Sequence, residues 1–261
     1  MAAENHSQSL ERGLAILSAF RTGRALLGIT DLGRDLGLSR STTHRYVATL
    51  AALGYLQQDA STRKYRLGPR VLDLGFSAIN SMELREIAAP HLRELSDATG
   101  FTVNMAILDD LDIVYVERCR SSRAKQREID LNLHVGARLP AYCTSLGKVL
   151  FAWLPPEQLR ARLPRIAFQR RGPNTLTTRA AFVAELKKIR GDGFAINNEE
   201  LAYGLRSIAA PVLAHDGAAA GAINLAVHST MLSLDDLVAR LSPALQRTAT
   251  EISERLGYRS H

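Results

Sequence analysis

Between Gly28 and Gly68 the chain reads GITDLGRDLGLSRSTTHRYVATLAALGYLQQDASTRKYRLG, and few folds accommodate that pattern. It parses as a short helix, a tight turn, a longer helix and a two-stranded hairpin. Thr30 is placed as the first N-cap, since its hydroxyl accepts from free backbone N–H groups. Ile29, Leu32 and Leu36 recur at near-helical spacing and form one apolar face. Gly37 ends this helix, because glycine takes the left-handed backbone of a sharp turn. Leu38 anchors the turn, and Ser39 caps a second helix over residues 40–53. Thr43, Val47 and Leu50 lie on its inner side, with Tyr46 and Leu53 at the edge. Arg40, Ser41, Thr42, His44 and Arg45 occupy the N-terminal half, and Ser41, His44, Arg45 and Ala48 face outward. A polar, cationic face held in place by an apolar one is what reading a DNA major groove requires.

The hairpin follows Gly54. Residues 55–58 read as a strand, 59–62 as a turn and 63–67 as the returning strand, which carries Arg63, Lys64 and Arg66. Residues 39–66 hold five Lys/Arg against one acid, Asp59. A local excess of this kind favours phosphate contact, because bound cations release counterions from the duplex. The competing interpretation is a small helical domain with a solvated basic face.

At 261 residues the chain has room for two modest domains. Its apolar content of 46% and charged content of 23% suit a globular protein with a buried core. Of the net +7, +4 belongs to residues 1–68, with nine Lys/Arg against five Asp/Glu. No apolar run approaches the roughly 18 residues of a membrane-spanning helix. MAAENHSQSLERG lacks the apolar core of a signal peptide. A cytoplasmic protein with no membrane partner is expected. Cys119 and Cys143 form no disulfide framework and no CxxC pair, so both are expected as reduced thiols.

Ser7 is expected to cap a helix over 8–21 with an apolar stripe of Leu10, Leu14, Leu17 and Phe20. After the hairpin, Pro69 suits the first turn of a helix. Val71, Leu72, Leu74, Phe76 and Ile79 carry it to Ser81. This segment is a helical linker, and it transmits orientation better than a Gly/Ser tether does. A further helix spans 82–99, with Pro90 expected to kink or break it. Beyond Gly100 the period changes to that of strands: 101–108, 112–118, 129–135, 195–197, 208–213 and 221–227. Helices are expected over 144–154, from 156, over 178–190 and over 235–256, with 165–178 an exposed loop. The chain therefore divides into residues 1–68, a linker 69–81 and an α+β domain 82–261.

Three segments are candidates to converge on a pocket. Cys143-Thr144-Ser145-Leu146-Gly147-Lys148 begins a helix, whose free N–H groups and positive dipole end suit a carboxylate. The second runs from Asn197 to Ser207, including Glu199, Glu200, Gly204 and Arg206. Asn224 and Ala226, at alternate positions of a strand, share a face. Each residue also has a local explanation. Thr144 and Ser145 serve as helix caps, Asn197 as a turn residue, and Arg206 as a surface charge or a partner of Glu199 or Glu200. Tyr142 is either a core tyrosine or a wall for an aromatic ligand, and Cys143 at a helix start is a candidate for a lowered pKa. Catalytic motifs are missing: Gly147-Lys148 lacks the rest of a phosphate loop, and there is no GxSxG or HExxH. No cofactor or metal is indicated, and His134 and His228 read as structural histidines.

The tracts SQSLERGLAILSAF, SRSTTHRYVATLAALGYL and KYRLGPRVLDLG resemble the N-terminal part of the IclR family of bacterial transcription regulators. LPAYCTSLGKVLFAWL, NNEELAYGLRSIAAPV and GAINLAV resemble its effector domain. IVYVERC and LPAYCTSLGKVLFA resemble most the branch that controls aromatic-acid catabolism by the β-ketoadipate route. The resemblance implies a winged helix-turn-helix, a linker helix and a GAF-like effector-binding domain. It implies an effector-responsive regulator, not an enzyme, that binds a double-stranded DNA operator through Arg40, Ser41, Thr42, His44, Arg45, Arg63 and Lys64. Its ligand would be a small organic or aromatic acid. Thr144 and the family-matched positions Ser145, Leu146, Asn197, Ser207, Asn224 and Ala226 would hold it. Small-acid sensors of the family carry an acid, a cysteine and two serines at four of these positions. Here they are Asn197, Ser207, Asn224 and Ala226, which implies a different or larger acid, aromatic or dicarboxylic. Homodimers that pair into tetramers are also implied, with RNA polymerase as a further candidate partner. Two alternatives stand beside this: a small-acid-converting enzyme with a DNA-binding module, and a DNA-binding module whose C-terminal domain only oligomerises.

Overall fold

A computed structural model of the chain describes residues 7–21, 23–80, 82–121 and 133–259. It divides into two units, Met1–Ser81 and Met82–His261.

In the first unit, α1 (Gln8–Ser18), α2 (Ile29–Leu36) and α3 (Arg40–Ala52) precede a hairpin of β1 (Leu56–Gln58) and β2 (Tyr65–Leu67). Ser7 caps α1 by accepting from the Leu10 N–H. Its buried side chain is Ile16, packed with Phe20, Leu27, Leu32, Val47, Leu56 and Tyr65. Leu10 and Leu14 are 64% and 55% exposed, so the expected stripe is rotated: these two leucines belong to the outer face. The cap of α2 is Gly28 rather than Thr30, and Asp31 Oδ2 accepts from the Gly28 N–H at 3.0 Å. Gly37 sits at φ 64 and Ser39 caps α3 by accepting from the Thr42 N–H, both as the turn chemistry requires. Leu27 bridges to Tyr65, adding a third strand position to the hairpin.

Pro69 precedes α4 (Arg70–Asn80), in which Leu72 and Leu74 are 60% and 58% exposed. Arg70 Nη1 donates to the Leu53 carbonyl at 3.3 Å, tying the start of α4 to the end of α3.

The second unit begins with α5 (Glu83–Thr99), which runs through Pro90 as one helix. A six-stranded antiparallel sheet follows, built from β3 (Thr102–Asp109), β4 (Asp112–Cys119), β5 (Arg138–Pro140), β6 (Ala195–Asn198), β7 (Leu205–Leu213) and β8 (Ala219–His228). The strand order is β5-β4-β3-β8-β7-β6. β5 was not expected. The expected strand 129–135 lies largely outside the described residues, and 133–135 form no strand. β7 starts three residues earlier than the periodicity indicated, which places Ser207 inside the sheet.

Strand alternation divides the core in two. Met105, Ile208, Ile223 and Leu225 face α5 and the terminal helix α9 (Leu234–Arg255). Ala106, Tyr115, Ala209 and Ala222 face α6 (Ser145–Ala152) and α8 (Arg179–Asp192). A short helix α7 (Pro156–Arg162) lies between these two in the chain. The architecture is α+β, a helix-turn-helix unit followed by a sheet-and-helix unit. Among the described residues no helix is long and apolar enough to cross a membrane.

Candidate functional site

The polar face of α3 is built as its caps dictate. Thr43 and Val47 are fully buried and fix the inner side. Arg40, Ser41, His44 and Arg45 are exposed, and Thr42 is half-buried at the N-terminus, where its hydroxyl accepts from Ser39 Oγ at 2.9 Å. The Arg45 guanidinium lies 5.7 Å from the Tyr46 ring centroid, a contact that orients the side chain and leaves its charge uncompensated.

The hairpin turn is organised by Asp59. Its Oδ1 accepts from Ser61 Oγ at 2.7 Å, and from Thr62 N and Oγ1 at 2.8 Å each. These bonds, with the Ser61 hydroxyl foremost, hold its carboxyl far below the usual range. Arg63 adopts φ 60, so it and Lys64 belong to the turn, not to the returning strand. The shift puts both cations at the tip of the hairpin, exposed. Among the described residues neither Arg40, Arg45, Arg63 nor Lys64 has an acidic partner, whereas Arg24 and Arg34 are paired to Asp35.

In the second unit the three expected segments meet. A small cavity is lined by Asn104, Tyr115, Leu133, Thr144, Asn197, Leu201, Leu205, Ser207, Asn224 and Ala226. Its volume of about 20 Å³ holds roughly one water. Thr144 caps α6 by accepting from the Gly147 N–H at 3.1 Å. Ser145 is buried and shares a 2.7 Å hydrogen bond with Ser207. Asn197 donates to the Cys143 carbonyl at 2.8 Å and accepts from the Glu200 N–H at 3.1 Å, so it joins the β6 end to the start of α6. Leu146 lies in the core and does not line the cavity.

Gly147 permits this arrangement. A Cβ there would stand 2.2 Å from the Ala141 carbonyl oxygen, so α6 seats against the preceding turn only without a side chain.

Several residues depart from their expected roles. Tyr142 donates to the Gln169 carbonyl at 2.6 Å and packs edge-on against Phe168, so it is a core tyrosine and not a cavity wall. Cys143 is fully buried, and burial pushes its thiol up to about 12, the opposite of activation. Arg206 bonds Asn198 Oδ1 and the carbonyls of Ser229 and Leu232, not the glutamates. Glu200 instead pairs with Lys148, a buried lysine in the apolar helix SLGKVLFA. Asn104 was missed among the cavity residues. Its signal is a lone amide midway along the apolar strand 102–108.

Residues 9–60 match the IclR helix-turn-helix domain and residues 76–254 the bacterial transcriptional regulator IclR C-terminal domain. The HTH-type transcriptional regulator XynR of Escherichia coli is 36% identical, with 96% of this chain and 98% of that protein covered. The Pca regulon regulatory protein of Pseudomonas putida is 35% identical, with 95% and 84% covered. The crystal structure of a putative transcriptional regulator, RHA06195 from Rhodococcus sp. RHA1, is 39% identical. It superposes with a TM-score of 0.82 over 96% of this chain and 98% of that one. These relatives are regulators by name, which sets the enzyme alternative aside. On both domain matches and on full-length likeness, the chain belongs to the IclR family of bacterial transcriptional regulators.

Proposed function

We propose that this regulator reads its operator with α3 and the hairpin tip, and answers to an aromatic or dicarboxylic acid held in the α6 cavity. The observation that carries the first half is the unpaired cationic set Arg40, Arg45, Arg63 and Lys64, exposed around a helix whose inner side is pinned by Thr43 and Val47. Ser41, Thr42 and His44 supply hydrogen-bonding groups on the same helix turn. Arg45 and Ser41 are suited to base edges, and Lys64 to phosphate.

The second half rests on the cavity. The first N–H groups of α6, those of Ser145 and Leu146, have no intrahelical acceptor and suit a carboxylate, with Thr144, Asn197 and Ser207 on the cavity lining and Ser145 bonded to Ser207 behind it. Asn224 and Ala226 form the floor. The likeness to the p-hydroxybenzoate hydroxylase transcriptional activator of Acinetobacter baylyi, 32% identical, supports a ring-bearing acid. Such an acid exceeds the volume of about 20 Å³, so binding parts the lining, and that movement is the signal.

Residues 1–68 act as the DNA-binding domain, 69–81 as the linker and 82–261 as the GAF-like effector-binding and oligomerisation domain. Arg70 clamped to the end of α3 lets α4 pass a displacement to the reading helix. One helix reads few base pairs, so a dimer or a dimer of dimers binds a quasi-symmetric site in the cytoplasm. The exposed leucines 10, 14, 72 and 74 support such association. RNA polymerase is the partner through which occupancy reaches transcription.

The test is fluorescence anisotropy on the chain's own upstream DNA, with and without aromatic acids. Salt-dependent binding that shifts with one acid is expected. Wild-type affinity in an Arg40→Ala, Arg45→Ala double variant would overturn the reading face.

A further inference from the structure

Arg118, on β4, is half-buried, and its Nη1 donates to Asn104 Oδ1 at 2.8 Å. Asn104 Nδ2 in turn donates to Asn224 Oδ1 at 2.9 Å. The three residues occupy one row of the sheet, Arg118 opposite Asn104 and Asn104 opposite Asn224. Asn104 and Asn224 both line the cavity and are 1% and 4% exposed.

An amide side chain has no intrinsic polarity in such a chain of bonds: either end can be turned outward. An arginine removes that freedom, because a guanidinium only donates. Asn104 must turn its oxygen to Arg118 and therefore its NH2 to Asn224. Asn224 must then turn its oxygen to Asn104, which leaves Nδ2 as its remaining group. That NH2 has no hydrogen-bond partner among the described residues, and it belongs to a side chain on the cavity wall.

We infer that Arg118 is a specificity-determining residue acting through Asn104 and Asn224, which makes the second pole of the effector cavity a hydrogen-bond donor. The effector then carries an acceptor, a carboxylate or a phenolate, across the ring from its first carboxylate. The inference rests on the acid-sensing role proposed above for this cavity. Ser207 and Asn224 share a face of the sheet and are diagonal across the β7–β8 pair, since Ser207 opposes Ala226 and Ala209 opposes Asn224. Diagonal neighbours of this kind stand about 7–8 Å apart, a span that a ring substituted at both ends bridges. Tyr115 also borders the cavity, but its hydroxyl both donates and accepts and does not discriminate.

The experiment is calorimetric titration of the full-length protein with terephthalate, 4-aminobenzoate and benzoate. Terephthalate presents an acceptor at the far end, 4-aminobenzoate a donor, and benzoate neither. Wild type is expected to favour terephthalate over 4-aminobenzoate by at least about tenfold, the factor for leaving two donors facing each other. Arg118→Lys, still donor-only, keeps this ranking. Arg118→Met frees both amides to turn and brings the ratio close to one. Asn224→Asp, of the same shape, puts an acceptor at the cavity and inverts the ranking. A melting curve of each unliganded variant checks that it folds. Equal binding of the two acids by wild type, or an unchanged ratio in a folded Arg118→Met, overturns the inference while leaving the acid-sensing role intact. No binding of any of the three acids by wild type overturns both.

Discussion

Lys148 Nζ lies 2.5 Å from Glu200 Oε1, and the two side chains are 1% and 8% exposed. Glu185, at the outer margin, adds a second carboxylate 3.3 Å from the same ammonium. Burial raises the Glu200 pKa, Lys148 opposes that, and Glu185 adds to it. Glu200 Oε2 is buried without a hydrogen bond. The pair joins α6, which opens onto the cavity, to the loop after β6, which holds Leu201. Removing the cation alone strands a buried carboxylate. Lys148→Met is therefore expected to cost about 3–5 kcal/mol in urea unfolding, and Lys148→Met with Glu200→Gln to recover most of it. Equal stability of the single and double variants would count against the pair. Glu200 holds its proton more tightly folded than unfolded. Its contribution therefore falls as pH rises from the ordinary glutamate value through the raised one.

Asp59 has the opposite sign. Its folded pKa is depressed by the Ser61 and Thr62 donors, so its contribution is full above the ordinary aspartate value of about 3.9. It is lost as pH falls through the depressed value. The side chain is exposed, so the effect is local to the hairpin. Asp59→Ala should speed amide exchange at Ser61 and Thr62 at neutral pH and leave the α3 amides unchanged. Unaltered exchange in the turn would show that the carboxylate does not organise it.

Much of the first unit was legible because its signals are local. Gly37 at φ 64 and Ser39 accepting from Thr42 follow from adjacent residues. What failed there depends on partners far along the chain. Leu10 and Leu14 have helical spacing, but Ile16 is the residue that meets Val47 and Tyr65. Asp31 reaches back to the Gly28 N–H and fixes the helix start two residues before Thr30, which therefore lies inside the first turn. In the second unit, Asn197, Ser207, Asn224 and Ala226 were legible as cavity residues by family likeness, and all four line it. Asn104 and Lys148 were not, because sheet register and the α6–β6 approach give a buried polar residue its partner. The sequence places Arg63 in the returning strand, directly after the turn over residues 59–62. The Asp59 turn claimed it instead.

Gly147 sets a steric limit on the cavity wall. A methyl group at this position meets the Ala141 carbonyl oxygen at 2.2 Å, its Cα at 2.3 Å and its carbonyl carbon at 2.5 Å, all backbone atoms that cannot swing aside. Gly147→Ala must shift α6 off the turn over residues 141–143. The expected cost is about 1–3 kcal/mol, as for other overpacked cores. Weaker binding of any effector should accompany it, because Thr144 and Ser145 move with the helix. A variant of wild-type melting temperature would refute the contact.

Cys143 tests whether the start of α6 activates a thiol. The positive end of a helix lowers a thiol pKa when the sulfur is exposed. Here the side chain is fully buried, and desolvation prevails and pushes it to about 12. The native protein should therefore resist iodoacetamide at Cys143 at pH 8 and react fully in denaturant, read by peptide mass spectrometry. Rapid native labelling would place the sulfur at the surface.

The two ends of the DNA-reading face should separate by their salt dependence. Arg45 stands on α3 and Lys64 at the hairpin tip, both exposed; on the proposed function Arg45 meets a base edge and Lys64 a phosphate. A base contact carries sequence information and a phosphate contact carries charge alone. Arg45→Ala is expected to cost about 1–3 kcal/mol on the operator and to narrow its preference over unrelated DNA. Lys64→Ala should weaken both DNAs alike and reduce the slope of log K against log salt by about 0.9, one released counterion. Anisotropy titrations at four salt concentrations measure both quantities. If Lys64→Ala left the slope unchanged and Arg45→Ala weakened both DNAs equally, the hairpin would not touch phosphate and α3 would not read sequence.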